Sequence, residues 1–396
     1  MSDTADQPSA RSKRTIISVD AMGGDLGPSA VVAGLYYSAK KNPDIGFILH
    51  GPKAKLEPLV AKRKILKDIC EIRDATDVVS MDDKPSHVIR NGKATSMWSA
   101  LESVRQGDAT VCVSCGNTGA LMLMSVVRLR KLPGIYRPAI AVLWPSPNPQ
   151  GFNIMLDGGA DIRADAKDLM QYALMGVSYA RNGFDLPRPR VGLLNVGTEE
   201  HKGRSELKEA YDLIAANARN ADFEFVGFVE GRDLPGTRCD VVVTDGFTGN
   251  VALKTGEGVA KMISDKLKEA FRYTPLSRFA AVLAYASLRR LRKRIDPRRS
   301  NGGVFLGLNG TVVKSHGAAD ATGVSAAVKL AFQLGQSGFS QKLAARVASA
   351  AMLEQDATDH SDDDTHGENE WRNGGFLCRC GFGSIRQLCR ENPQNT

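Results

Sequence analysis

Short runs of β-branched and apolar residues recur along the chain, each followed by a polar or glycine-rich turn and then by apolar positions at helical spacing. The clearest runs are residues 15–19, 109–113, 190–194 and 240–244, and further strands are predicted at 46–50, 140–143, 152–157 and 223–228. Helical spacing predicts helices over 29–41, 94–106, 166–181, 206–218, 256–272 and 323–335. This alternation of strands and helices implies a sheet covered on both sides. The fold class expected is α/β, a mostly parallel twisted sheet with helices on both faces. One such domain is expected over residues 15–353, between disordered ends at 1–14 and 354–396 where few apolar residues are available to bury.

Four turns stand directly after the four clearest runs: Asp20-Ala-Met-Gly-Gly-Asp25-Leu-Gly-Pro28, Ser114-Cys-Gly-Asn-Thr-Gly-Ala120, Asn195-Val-Gly-Thr-Glu-Glu-His-Lys-Gly203 and Asp245-Gly-Phe-Thr-Gly-Asn250. In a parallel sheet all four would leave the carboxyl edge and converge on one crevice. Glycine admits close backbone approach, and helix N-termini offer N–H donors to an anion. A phosphate-like ligand is therefore expected. The candidate holders are Asp20, Gly23, Gly24, Asp25, Gly116, Thr118, Gly119, Gly197, Thr198, Glu199, Gly249 and Lys254. Plainer roles stay open: Asp20 and Asp25 as turn caps, Lys202 as a solvated loop charge.

Charge changes the picture in one place. The chain of 396 residues carries a net charge of +8, and residues 272–299 alone hold nine Lys/Arg against one acid, Asp296. That segment is also apolar on one side, with Phe279, Leu283, Leu288 and Leu291 opposed to Arg289 and Arg290. It is expected to form a protruding basic amphipathic helix, suited to anionic lipid or to packing on a second subunit. No run of about 18 uncharged apolar residues occurs, so a cytoplasmic protein without a signal peptide is expected. Cys112 and Cys239 fall within predicted strands, and the spacing of Cys378, Cys380 and Cys389 matches no common zinc module. Neither a metal nor a cofactor is expected.

Taken together, these turns with Arg137-Pro-Ala-Ile-Ala141, Leu156-Asp157, Gly159-Ala160, Phe228-Val-Glu-Gly231 and Asp240-Val-Val-Val-Thr-Asp245 closely resemble the bacterial PlsX-type phosphate acyltransferases, over roughly residues 15–353. The resemblance implies a fold like that of phosphotransacetylases and isopropylmalate dehydrogenases. It implies transfer of a long acyl chain from acyl carrier protein to inorganic phosphate, giving acyl phosphate for phosphatidic acid synthesis. A homodimer on the inner membrane face is implied, beside a membrane-bound glycerol-3-phosphate acyltransferase. Cys115 and Asp161 depart from the family pattern, and the tail beyond Glu354 has no counterpart in it.

That reaction needs no enzymic nucleophile, because a phosphate oxygen can attack the thioester carbonyl itself. The remaining tasks are to place the dianion and to stabilise the oxyanion. Lys202 or Lys254 with turn N–H groups suit the first, and the amides of Asn117 and Asn250 suit the second. Asp245 and Glu199 are candidates to orient these donors, and His316 to supply a proton or hydrogen bond. Other readings are a phosphotransacetylase-like acyl-coenzyme A:phosphate transferase, a nucleotide-linked dehydrogenase and a non-catalytic lipid or nucleic-acid binder. The dehydrogenase is disfavoured because the first turn lacks Gly-x-Gly-x-x-Gly, and nucleic acid because aromatic residues are sparse near the basic run.

Overall fold

A computed structural model describes residues 14–295 and 302–345. Within them a single sheet contains β1 (Thr15–Asp20), β2 (Ile45–His50), β3 (Cys70–Arg73), β4 (Val111–Ser114), β5 (Ala139–Pro145), β6 (Phe152–Leu156), β7 (Arg190–Leu194), β8 (Glu224–Val229), β9 (Val241–Val243), β10 (Gly303–Leu306) and β11 (Thr311–Lys314). Their spatial order is β3-β2-β1-β4-β11-β10-β5-β6-β9-β7-β8. The eight strands read from the sequence are present, and β3, β10 and β11 are additional. Of the expected ends 1–14 and 354–396, all but Arg14 lie outside the described residues.

The sheet is mostly parallel, but β11/β10, β10/β5 and β5/β6 pair antiparallel. Three reversals are an odd number, so the half β3-β2-β1-β4-β11 and the half β6-β9-β7-β8 point in opposite directions. The expected common carboxyl edge is therefore absent: turns after β1 and β4 leave one edge, those after β7 and β9 the other. The cause is the β5–β6 hairpin, which turns the chain back where a crossover helix would have preserved its direction. Short strands nevertheless bring the two edges together. Lys314, the last residue of β11, pairs with Gly303, next to the Val304–Ala141 pair, while Gly158, just past β6, donates its N–H to Ile140 O at 2.8 Å. Along the strand direction the two carboxyl ends are thus offset by only about two residues of β5, roughly 7 Å.

Alternation along the strands builds two unequal faces. Ile17, Val19, Val111 and Val113 in one half and Ile154, Leu156, Val191 and Val241 in the other belong to one continuous core under the helices Gly27–Ala39, Ala166–Phe184 and Ala321–Gln336. The opposite face carries two separate clusters. Cys112, Phe305 and Val312 pack with Met97, Leu101 and Leu121, whereas Met155, Leu194, Val229 and Val242 form the second group. Between them β5 turns Ile140, Val142 and Trp144 into a gap.

Helix starts follow side-chain caps: Thr95, Asn117, Asp165, Asp245, Thr274 and Asp320 each accept a first-turn N–H. One predicted boundary moves. The helix expected from residue 256 begins at Gly246, so the fourth turn is itself the first turn of the helix Gly246–Arg272. Its glycines are packing residues, for a Cβ at Gly249 would collide with the Asp157 carbonyl oxygen. The basic segment forms two helices, Pro275–Leu283 and Tyr285–Ile295, interrupted at Ala284. Leu276, Phe279, Val282 and Leu283 are all more than 60% exposed, and Arg289 and Arg290 are exposed too. Leu288 is half-buried, and the side chain of Leu291 lies outside the described residues.

Candidate functional site

The gap over β5 is a cavity of about 640 Å³. Ile140, Val142, Leu143, Trp144 and Pro145 of β5, with Leu253 and Ala260 of the facing helix, give it an apolar wall. Asp25, Thr118, Asn250, Lys254, Lys314, Ser315 and His316 gather at its polar side. Both halves of the sheet contribute, Asp25 and Lys314 from one, Gly158, Gly159 and Asn250 from the other.

The first two turns are locked together by Asp20. Its buried carboxylate accepts Ser96 Oγ and Ser114 Oγ, each at 2.7 Å, and Ser114 Oγ in turn accepts the Gly116 N–H at 3.0 Å. A Cβ at Gly23 would lie 2.6 Å from Gly116 N, so only glycine allows this backbone contact. Asp25 is held at the cavity by its N–H, which donates to Gly317 O at 2.8 Å. Thr118, the first residue of the helix Thr118–Leu129, lines the same cavity. Gly119 lies at the helix start, against Pro85.

Lys314 was not singled out as a candidate from the sequence, yet it is the cation most enclosed here. Its side chain is 8% exposed and its ammonium donates to Ser315 O. Burial pulls its pKa down from 10.5 to about 8, against the opposing pull of Cys115, Asp20 and Asp25 and with help from Lys254. The acceptor it reaches is a carbonyl rather than a carboxylate, and Asp20 and Asp25 only partly offset the cost of burying its charge. Beside it, His316 Nδ1 accepts the Ala318 N–H at 3.1 Å, which in the neutral ring leaves the proton on Nε2. Lys254 pairs with Glu257 at 2.9 Å and is more than half exposed. Cys115 is buried, and burial pushes its thiol up to about 11.

The other candidates are placed differently. Asn117 is a cap: its Oδ1 accepts Ala120 N at 3.1 Å, while Nδ2 donates to Met81 O and Asp83 O at 2.8 and 3.2 Å. Both amide hydrogens are thereby engaged within the protein. Asp245 caps its helix through Thr248 N at 2.7 Å and holds Arg204 at 2.5 Å. The third turn folds on itself around Asn195, which accepts Val196 N and donates to Lys202 O. Lys202 pairs with exposed Glu199 at 2.7 Å, lowering the pKa of that carboxyl, and Gly197 packs against both. None of Gly197, Thr198, Glu199 or Lys202 lines the cavity, and neither does Asp245, to which Arg204 ties the end of that turn. Asn250 reaches the cavity beside Gly159. The turn bearing Gly159 is shaped by Asp157, whose carboxylate accepts the N–H groups of Ile140, Gly159, Ala160 and Asp161. This ring of donors resembles an anion site, but the protein's own carboxylate fills it. Burial raises the Asp157 pKa, and the same four donors offset part of that rise.

Comparison with known proteins gives consistent findings. Residues 15–342 match the sequence family described as fatty acid synthesis protein. A phosphate acyltransferase of Ruegeria sp. (strain TM1040) is 72% identical over 361 residues, covering 91% of this chain and 96% of its own. One from Paracoccus denitrificans is 72% identical over 333 residues, 84% of this chain and 90% of its own. Among solved structures, a phosphotransacetylase from Streptococcus pyogenes aligns with a TM-score of 0.56 at 16% identity, covering 82% of this chain and 95% of that one. The EutD phosphotransacetylase from Staphylococcus aureus gives 0.53 at 15%, covering 82% and 94%. At such identities the structural likeness concerns the fold.

Proposed function

The chain belongs to the fatty acid synthesis protein family, as a phosphate acyltransferase of the PlsX type, and on that premise we propose that it moves a long acyl chain from acyl carrier protein to inorganic phosphate. The observation that carries this reading is the two-sided cavity: cations and a helix start at one side, and at the other an apolar wall far larger than an acetyl group requires. Phosphate sits against Lys314 and Lys254 at the start of the helix Thr118–Leu129, where a dianion supplies the charge the buried ammonium lacks. The acyl chain lies along Ile140, Val142, Trp144 and Leu253.

A phosphate oxygen attacks the thioester carbonyl, the C–O bond forms, and the C–S bond breaks. The proton of hydrogen phosphate ends on the departing thiol, so charge and atoms balance without an enzymic nucleophile. Asn250 and His316, which both line the cavity, are the groups we propose to stabilise the oxyanion, with His316 relaying the proton. Asp20 and Asp245 act behind the site, the first clamping two turns and the second holding Arg204.

The product is proposed to feed phosphatidic acid synthesis through a membrane-bound glycerol-3-phosphate acyltransferase, from a cytoplasmic enzyme lying on the inner membrane face. Among the described residues no helix is long and apolar enough to cross a membrane. The exposed apolar positions Leu276, Phe279, Val282 and Leu283, followed by Arg289 and Arg290, support surface attachment. Exposed Val259, Met262, Ile263 and Leu267 on the helix Gly246–Arg272 support a homodimer. The test is mass-spectrometric detection of acyl phosphate from palmitoyl-(acyl carrier protein) and phosphate, beside acetyl-coenzyme A. Turnover confined to the acetyl donor would replace this reading with the phosphotransacetylase one.

A further inference from the structure

A second concavity, of about 710 Å³, lies along the helix Gly27–Ala39, where Ser29, Val32 and Tyr36 face Leu59 and residues 62–65. Its chemistry is basic with an apolar floor. Residues 53–67 contain six Lys/Arg and one acid, Glu57, which is already paired with Lys53 at 3.6 Å. Two cations lie over the Tyr36 ring, Lys40 Nζ at 4.6 Å and Arg63 Cζ at 4.8 Å from its centroid. The ring holds both charges in place, which lowers the ordering cost of meeting an anionic partner. Exposed Tyr37 and Ile65 extend the apolar surface.

Position adds to chemistry. Asp25, two residues before the helix Gly27–Ala39, lines the catalytic cavity, and Ser29, in the first turn of that helix, lines the groove, four residues further along the chain and so within about 14 Å. We propose that this groove, rather than the basic helices at 275–295, docks the acidic helical face of the carrier protein that brings the acyl thioester. The inference rests on the carrier-bound donor proposed above. Acidic side chains of the carrier meet Lys62, Arg63 and Lys64, its apolar residues meet Ile65 and Leu59, and its flexible arm passes Ser29 and Asp25 into the cavity. The acyl group is thereby delivered from the side on which phosphate is held.

The experiment compares Lys62→Glu/Lys64→Glu with wild type and with Arg289→Glu/Arg290→Glu, using palmitoyl-(acyl carrier protein) and palmitoyl-coenzyme A as alternative donors at low and high salt. The expected result is an increase of about tenfold in KM for the carrier-bound donor in the Lys62/Lys64 variant, shrinking as salt rises, with KM for palmitoyl-coenzyme A and for phosphate unchanged. Lys62→Gln/Lys64→Gln should give a smaller increase. An unchanged carrier KM, an equal rise for both donors, or a rise confined to the Arg289/Arg290 variant would overturn the groove. Wild-type turnover of palmitoyl-coenzyme A but not of the carrier-bound donor would remove the donor reading itself, and the groove with it.

Discussion

Replacing Lys314 by methionine keeps the length of the side chain and removes its charge. Burial moves the amine from 10.5 to about 8, and since each tenfold in proton affinity is about 1.4 kcal/mol, the ammonium is disfavoured in the free enzyme by roughly 3 kcal/mol. A phosphate dianion beside it recovers most of that energy. Lys314→Met should therefore raise the phosphate KM by about a hundredfold while KM for the acyl donor stays within about twofold. Initial rates at varied phosphate, measured from pH 6.5 to 10, supply a second reading. In wild type kcat/KM for phosphate should fall above about pH 8, as the amine loses its proton, and the variant should lack that limb. Stability moves the opposite way. The unfolded chain holds this proton up to about 10.5 and the folded chain only to about 8, so Lys314 adds a rising contribution to wild-type stability across that window, and the variant should lack that contribution. A folded Lys314→Met protein with unchanged phosphate KM, or one that retains the alkaline limb, would refute the assignment.

Lys254→Ala should raise the phosphate KM several-fold, whereas Lys202→Ala, which removes half of an exposed ion pair outside the cavity, should leave it unaltered in the same assay. Cys115→Ala should retain turnover, because its thiol is buried and pushed up to about 11, and an acyl adduct trapped on wild-type Cys115 would contradict this. His50, wholly buried between Ser18 Oγ at 2.9 Å and Ser99 Oγ at 2.8 Å, is held neutral with its pKa lowered to about 3 by burial and by Arg73. The unfolded chain gains that proton below about 6.5, so stability should drop by about 1.4 kcal/mol per pH unit between 6.5 and 4. His50→Asn should reduce that slope in urea titrations; an identical slope would show that other groups cause it.

What was legible in the sequence follows from how local each signal is. β1, β4, β7 and β9 announce themselves by β-branched runs ended by glycine, and Asp20, Asp25, Thr118 and Asn250 were found because they sit on those turns. β10 and β11 are no shorter than β4 or β9, but they lie in a stretch interrupted by Gly302, Gly303, Gly307 and Gly310, which breaks up the apolar pattern. Missing β11 meant missing Lys314, its last residue. The direction of the second half was legible but missed: only eight residues, 144–151, with no helical pattern separate the predicted strands 140–143 and 152–157, too few for the crossover that parallel neighbours require. Gly246 and Gly249 misled about the helix start because glycine usually breaks helices, whereas here a close contact with Asp157 requires it. Lys202 and Glu199 met the criterion of a glycine-rich turn, yet Asn195 closes that turn upon itself.

The pairing of β11 with β4 has a consequence for synthesis on the ribosome. Val111 and its partner Thr311 stand 200 residues apart in the chain. At about 5–20 residues per second, the edge of β4, with its buried Val111, Cys112 and Val113, waits roughly 10–40 s for its neighbour. During that interval the emerging β3-β2-β1-β4 half presents an unpaired, apolar parallel edge, the kind of template that invites aggregation. Nascent chains arrested before Thr311 should accordingly capture chaperone in proportion to that exposed edge. Chains arrested with β11 clear of the exit tunnel should release it, and equal retention by the two would mean that the edge is covered some other way.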